Sequence, residues 1–256
     1  MYKIEDIINK IYCEDCLEVM KQIPDKSIDM ILCDLPYGTT ACKWDTVIPF
    51  EPLWEQYKRI IKDNGAIVLT ASQPFTSALV MSNPKMFKYE WILNKVSGSN
   101  FMQLKKLPLK VHENILIFYN NSPTYNPQMQ EGTQWKRGGK DKKYTNNIIN
   151  SEFKTMVKND DNNLKYPKSI QEFSYQQTEC SNGKRLHPTQ KPVALFEYLI
   201  KTYTNEGDLV LDNCAGSGTT GVACKNLGRN YILIEKEKKY CEIAEKRIRE
   251  LPIPLF

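Results

Sequence analysis

Short apolar runs alternate with stretches of helical spacing at both ends of the chain, and this alternation restricts the fold most. Residues 7–13, 28–33, 66–71, 89–93, 115–119, 209–211 and 231–234 read as strands. Between them, 17–23, 51–62, 75–81, 193–203, 220–227 and 238–249 carry apolar residues at helical intervals. Asn64-Gly65 is the expected exit of the helix over 51–62, and Gly228 of the helix over 220–227. Strands separated by helices assemble into parallel sheets covered on both faces. The predicted fold is therefore α/β, a doubly wound and mostly parallel sheet.

From about Asn120 to Arg185 the texture changes to Asn, Gln, Lys, Gly and Tyr without a sustained period. The expected division is 1–121, an insert over 122–185, and 186–256. In sheets of this kind a glycine-rich turn usually comes early, whereas here it comes late. If the last helix led back to the strand at 7–13, one continuous sheet would result. The chain thus reads as circularly permuted, which suits domains whose termini lie close together.

Two strings stand where strands end, the place where open α/β sheets hold ligands. In Asp34-Leu35-Pro36-Tyr37-Gly38 a carboxylate, a backbone carbonyl and an aromatic ring follow the run at 28–33. The Asp34 carboxylate and the Leu35 carbonyl suit the two N–H bonds of an amino group on a flat base, with Tyr37 stacking on the ring. The same residues also spell an ordinary Asp-x-Pro turn. In Asp212-Asn213-Cys214-Ala215-Gly216-Ser217-Gly218-Thr219-Thr220 the glycines let backbone amides approach a ligand closely. The spacing is neither G-x-G-x-x-G nor G-x-x-x-x-G-K-[ST]. Glu235, at the end of the next strand, suits the two hydroxyls of a ribose. A nucleoside ligand without a pyrophosphate fits, and so does a tight turn beside an exposed glutamate.

Composition narrows the classes. The longest apolar runs are far short of the ~20 residues that span a bilayer, so no membrane partner is expected. The opening Met1-Tyr2-Lys3-Ile4-Glu5-Asp6 already carries two acids, which argues against an export leader and for a cytoplasmic protein. Of eight cysteines, only Cys13 and Cys16 form a C-x-x-C, and His112 and His187 lie far away. Reduced thiols and no metal are expected. Residues 126–185 hold eleven Lys/Arg against seven Asp/Glu, leaving +4 of the chain's +5. That asymmetry suits a polyanion, or a solvated surface segment.

Taken together, these strings resemble the β group of DNA amino-methyltransferases. Asp34-Leu35-Pro36-Tyr37 is similar to that group's D/N/S-P-P-Y/F/W, and Asp212 to Thr220 to its D-x-F-x-G-S-G-T-T. His187-Pro188-Thr189-Gln190-Lys191-Pro192, His112-Glu113-Asn114 and Asp15-Cys16-Leu17 match further motifs of the group. The order, catalytic string first, then an insert, then the cofactor string, is also the group's. The resemblance covers about three-quarters of the chain and leaves the insert unmatched.

The resemblance implies a site-specific, S-adenosylmethionine-dependent enzyme that methylates an amino nitrogen in double-stranded DNA after flipping the base out. Asp34 would accept the amine, through its side chain, with the Leu35 carbonyl; Pro36 shapes the turn and Tyr37 stacks. Leading Asp favours adenine, since cytosine enzymes of the group usually carry Ser there. For the cofactor, Asp15 beside Cys16 would hold the adenine and Glu235 the ribose. Asp212, Ala215, Gly216, Ser217, Gly218, Thr219 and Thr220 would line the methionine and ribose end. Thr189 and Lys191 would hold the methionine carboxylate side, with Asp34 facing the methyl group. Leu35 for the usual proline keeps the carbonyl, and Asn213-Cys214 for Pro-Phe loses an aromatic contact.

In the insert, cations interleave with aromatics and glycine. Lys136, Arg137, Lys140, Lys142 and Lys143 are the phosphate candidates, together with Lys95 outside it. A homodimer and a cognate restriction endonuclease are compatible with the family pattern, as is an enzyme working alone. The alternatives are a cytosine 4-amino enzyme, an RNA or protein-glutamine methyltransferase, and a non-catalytic DNA-binding protein on this core.

Overall fold

The computed structural model describes residues 3–39, 42, 45–98, 100–132, 164–174, 180–181, 184–186 and 190–251. They group into two compact units, Met1–Asn126 with Ser169–Phe256, and the small Pro127–Lys168. The chain runs through α1 (Ile4–Ile7), β1 (Lys10–Tyr12), α2 (Cys16–Met20), β2 (Ile28–Asp34), α3 (Phe50–Ile60) and β3 (Ile61–Ala71). Then come α4 (Phe75–Ser82), β4 (Phe87–Asn94), a 3₁₀ turn (Phe101–Gln103) and β5 (His112–Phe118). Five short strands follow: β6 (Gln130–Glu131), β7 (Leu164–Lys165), β8 (Ile170–Glu172), β9 (Cys180–Ser181) and β10 (Lys184–Arg185). The last elements are α5 (Val193–Tyr203), β11 (Leu209–Asp212), α6 (Thr219–Asn226), β12 (Asn230–Ile234) and α7 (Lys238–Arg249).

Eight strands form one sheet in the order β1-β12-β11-β2-β3-β5-β4-β8. Pairing is parallel except around β5, which runs antiparallel to β3 and β4. β1 lies beside β12, with Tyr12 opposite Ile234, as the permuted reading of the two halves requires. In the small unit, β6 and β7 pair antiparallel.

Strand side chains alternate between two apolar layers because successive Cβ atoms point to opposite faces. Cys33, Ile67, Leu69, Leu116, Leu211 and Ile232 pack with Leu53, Trp54 and Tyr57 of α3 and Leu79 of α4. Leu32, Val68, Ile117, Val210 and Leu233 pack on the other face with Leu195 and Leu199 of α5 and Val222 of α6. A sheet buried on both sides needs continuous apolar strands, which is why these runs lack polar alternation.

Three local expectations change. The strand expected over 7–13 shortens to β1, because Asn9 adopts φ 57° and ties its N–H to the Tyr231 carbonyl. The helix expected to reach Asn64-Gly65 ends at Ile60. Ile28 pairs with Ile61 but Met30 with Ala66, so residues 62–65 bulge out of the sheet, and Lys62 caps the bulge on Asp29 at 2.7 Å. Ile170–Glu172, inside the stretch expected as the insert, extends the main sheet beside β4. Among the described residues, no helix is long and apolar enough to cross a membrane.

The turn into α6 rests on Gly218, at φ 78°, where an added Cβ would stand 2.8 Å from the Ala244 Cβ of α7. Left-handed backbone strain and overpacking each cost about 1–3 kcal/mol for a residue with a Cβ. Gly218→Ala is expected to destabilise the protein by at least about 2 kcal/mol, read as a lower midpoint in urea unfolding; an unchanged midpoint would contradict this packing.

Candidate active site

β11 and β2 are neighbours at the centre of the sheet, with Val210 opposite Met30 and Leu211 opposite Ile31. From β11 the chain crosses to β12 on one side, and from β2 to β3 on the other. The crossovers therefore diverge at this point and leave a crevice beyond the carboxyl ends of the two strands. Asp212 and Asp34 close those ends. A cleft of about 840 Å³ opens there, lined by residues of both strings.

Sheet register assembles the half of the cleft around Asp34. Asp34 lies opposite Thr70, and Ala71 opposite Asn114. Because β5 is reversed, its first residues arrive at the edge where β2 and β3 finish. Asp34 Oδ1 accepts from the Tyr37 hydroxyl at 2.7 Å and from the Thr70 hydroxyl. Lys191 Nζ donates to Asp34 Oδ2 at 2.7 Å and lies 3.4 Å from Glu113 Oε2. Lys95 Nζ binds the other Glu113 oxygen at 3.1 Å. The result is a chain of alternating charge, Asp34–Lys191–Glu113–Lys95, whose lysine side chains are only 5% and 7% exposed. Burial pushes the Glu113 carboxyl up, but Lys191 and Lys95 outweigh it and hold the group below its ordinary value.

Tyr37 is held as well as holding. Its ring stacks on Phe75 at 5.2 Å and 25°, and Lys191 Nζ lies 5.7 Å from its centroid. Burial and the adjacent Asp34 raise its phenol well above the ordinary value, so it stays a neutral donor. The following turn is fixed by Asp45, whose carboxylate accepts from the N–H groups of Gly38 (2.8 Å) and Thr39 (2.9 Å).

The other half is built on backbone. Gly216 and Gly218 take φ 52° and 78°. Asp212 accepts from the Cys214 N–H at 3.0 Å and from the Thr220 hydroxyl, which ties both ends of the turn to one carboxyl. Glu235 accepts from the Gly216 N–H at 2.7 Å and the Glu237 N–H at 2.8 Å. Asp15 caps α2 through the Leu17 N–H at 2.9 Å. It stands close to Glu235 because the Glu235 N–H pairs with the Tyr12 carbonyl.

The structure brings most of the expected residues to this cleft. Asp34, Leu35, Pro36 and Tyr37 line it with Lys191, and Asp15, Cys16, Asp212, Ala215, Gly216, Ser217, Thr219 and Glu235 line the remainder. Gly218 and Thr220 do not line it: Gly218 packs against α7 and Thr220 braces Asp212 from behind. Lys95, expected on phosphate, is instead buried on Glu113 inside the cleft. Thr189, His187, Lys136, Arg137, Lys140, Lys142 and Lys143 lie outside the described residues. Thr70 and Glu113 were not among the expected site residues. Thr70 carries a signal, a hydroxyl closing an apolar run, and Glu113 stands in the His112-Glu113-Asn114 motif; Asp45 and Phe75 carry none.

Burial raises the Asp212 carboxyl from 3.8 to about 7, against the lowering effect of its Thr220 and Cys214 bonds. A carboxyl raised in the folded state gives stability that is complete below its unfolded pKa and is lost as pH rises through the folded one. The ligand-free protein should therefore melt at lower temperature as pH climbs from about 4 to about 7. Asp212→Asn, which mimics the protonated form, is expected to shrink that decline; equal declines in both proteins would refute it.

The sequence profile of the DNA methylase family matches residues 28–246, from β2 into α7. The type II methyltransferase M.HinfI of Haemophilus influenzae is 32% identical, over 97% of this chain and 70% of its own length. M.HpaI of Haemophilus parainfluenzae is 28% identical, over 93% and 74%. Among solved structures, the M1.HpyAVI–SAM complex superposes with a TM-score of 0.61 at 27% identity, over 93% of this chain and 98% of that one. The cytosine-N4-specific PvuII DNA methyltransferase, at 16% identity and a TM-score of 0.67 over 95% and 86%, shares the fold. A match spanning the central crevice and both halves of the sheet places this chain in the N6/N4 DNA methylase family, the S-adenosylmethionine-dependent DNA methyltransferases.

Proposed function

We propose that the cleft takes S-adenosylmethionine and a flipped adenine of double-stranded DNA, and methylates the 6-amino group within a specific sequence. The observation that carries this reading is the position of Asp34, between a glycine cradle and an aromatic platform at one switch point. The cradle suits the cofactor: a positive-φ glycine turn brings backbone within reach, and Glu235 and Asp15 stand together for the ribose and adenine. Ala215, Ser217 and Thr219 line the remainder, together with Cys16.

S-adenosylmethionine supplies a methyl group on positively charged sulfur. Asp34 and the Leu35 carbonyl would accept the hydrogens of the target amine and direct its lone pair at that methyl. As the nitrogen–carbon bond forms the sulfur–methyl bond breaks, S-adenosylhomocysteine leaves, and the nitrogen gives up one proton to solvent. Tyr37, backed by Phe75, offers a ring to the base and offsets part of the few kcal/mol that unstacking costs. Thr70 and the Tyr37 hydroxyl fix the rotamer of Asp34, so the carboxylate is oriented before the base arrives. Lys191 has a place on each side. It rests on Asp34 and is within reach of the cofactor half, so the methionine carboxylate is the partner that draws it away and frees Asp34 for the base.

The Asp34 carboxylate in the leading position supports adenine over cytosine. The basic insert, with Lys136, Arg137, Lys140, Lys142 and Lys143, is the proposed reader of phosphate and sequence. We also propose a cytoplasmic enzyme paired with a restriction endonuclease, supported by its likeness to type II methyltransferases.

Purified protein incubated with S-adenosylmethionine and unmethylated genomic DNA should yield N6-methyladenine among the digested nucleosides. N4-methylcytosine would replace the base assignment and keep the chemistry, whereas no methylated nucleoside would overturn the reading. Asp34→Ala should reduce turnover at least 100-fold while the protein still binds S-adenosylmethionine in calorimetry, no more than tenfold more weakly than the unsubstituted enzyme.

A further inference from the structure

Between β4 and β5 the chain leaves the sheet at the lip of the cleft and exposes apolar side chains there. Of the twelve large hydrophobic residues exposed among the described ones, six lie within residues 96–109. Phe101 is 61% exposed and Met102 fully so, with Leu104 and Leu107 beside them at 51% each. Lys105 and Lys106 sit between the leucines, and residues 96–111 contain three lysines and no acid.

This segment is built, not slack. Asn100 clasps its two limbs, donating to the Pro108 carbonyl at 3.0 Å and accepting from the Lys110 N–H at 2.7 Å. The Gln103 N–H bonds the Asn100 carbonyl, and the Leu107 N–H bonds the Gln103 carbonyl, both at 2.9 Å. Gly98 lies close under the Leu109 side chain, whose Cγ would stand 2.2 Å from a Cβ added there. The base of the loop is also wall of the site: Ser97, Gly98, Phe101 and Lys110 line the same cleft as Asp34.

An ordered apolar and basic surface at the lip has two chemical explanations, a second copy of the chain or the duplex. A two-fold contact sets the same patch against itself. Three lysines without an acid would then face their own copies. Duplex DNA supplies the opposite charge, and it must pass this lip for a base to reach Asp34. Apolar side chains driven between base steps, flanked by cations on phosphate, are a general means of unstacking DNA.

We propose that residues 100–110 form a wedge that enters the duplex beside the target base, with Met102, Leu104 and Leu107 filling the space the base vacates and Lys105 and Lys106 on the flanking phosphates. The proposal rests on the flipped-base reading of the cleft. Opening a pair costs free energy only where the pair exists, so a wedge matters for a paired target and little for an unpaired one.

The test uses the full chain and two oligonucleotide duplexes carrying the methylated site mapped from genomic DNA. One is fully paired; the other has an abasic site opposite the target base. The triple variant M102A/L104A/L107A should lose at least tenfold in kcat/KM on the paired duplex and less than threefold on the abasic one. K105Q/K106Q should weaken binding to a fluorescent duplex and flatten its salt dependence by about one unit of slope per lysine. Equal losses on both duplexes, or no loss on either, would overturn the wedge, provided the unsubstituted enzyme methylates both. A native mass that falls from dimer to monomer in the triple variant, with activity restored at higher protein concentration, would assign the patch to a second copy instead. If the unsubstituted enzyme methylates neither duplex, the flipped-base reading itself fails and the wedge with it.

Discussion

Everything in the cleft depends on the parallel pairing of β11 with β2. The two strands are about 180 residues apart in sequence, and no local connection holds them together. Leu211 against Ile31 and Val210 against Met30 set the register, and at the opposite end of the pair Asp29 takes the Leu209 N–H at 3.0 Å. A slip of one residue would turn every strand side chain to the other face. It would send Val210 into the layer of α3 and α4, and Leu211 into that of α5. The apolar layers thus forbid the slip, and by doing so they fix where Asp34 and Asp212 stand at the ends of their strands. Precision in the polar site is inherited from the packing beneath it.

Reversal of β5 is the second constraint, and it explains how four charges meet in so little water. A strand running with its neighbours would have delivered its carboxyl end to the cleft. Running against them, β5 delivers its first residues, and Glu113 arrives between Lys95 and Lys191. Burying a lone carboxylate or ammonium costs several kcal/mol, and a pair recovers this only with good geometry and further hydrogen bonds. Here each carboxylate has at least two donors and the four charges cancel. A rigid, neutral frame of this kind keeps Asp34 oriented without flooding the cleft with a field of one sign.

How much of this was legible depended on whether a residue's role is local. Asp34 and Asp212 end strands and Glu235 directly follows one, and a strand end is visible as a polar residue closing an apolar run. The helices α5 and α7 appear in sequence with their observed limits, since each has a clear apolar face and clear termini. Lys95 illustrates the opposite case. A charge in the sequence says nothing of the charge it will face, and Glu113 reaches it only through antiparallel pairing. Gly218 and Thr220 belong to a legible turn, but which side of that turn meets ligand is set by α7 packing behind it. Asn64-Gly65 has the composition of a helix exit and serves as a bulge, because the apolar residues after Ile60 are claimed by the sheet.

Lys191 connects the two halves of the cleft, and magnitudes indicate what moves it. Two unit charges 4 Å apart attract by about 4 kcal/mol at an effective dielectric near 20. A neutral hydrogen bond contributes roughly 0.5–1.5 kcal/mol net. An amine on a base is a neutral donor, so on its own it competes poorly with an ammonium for Asp34. A carboxylate competes on equal terms. In the proposed reading the methionine carboxylate is therefore what releases Asp34, and Glu113 keeps Lys191 neutralised during the transfer. The base then meets a carboxylate whose rotamer is still held by Thr70 and Tyr37. Occupation of one half of the crevice thereby prepares the other, using no element larger than a lysine side chain.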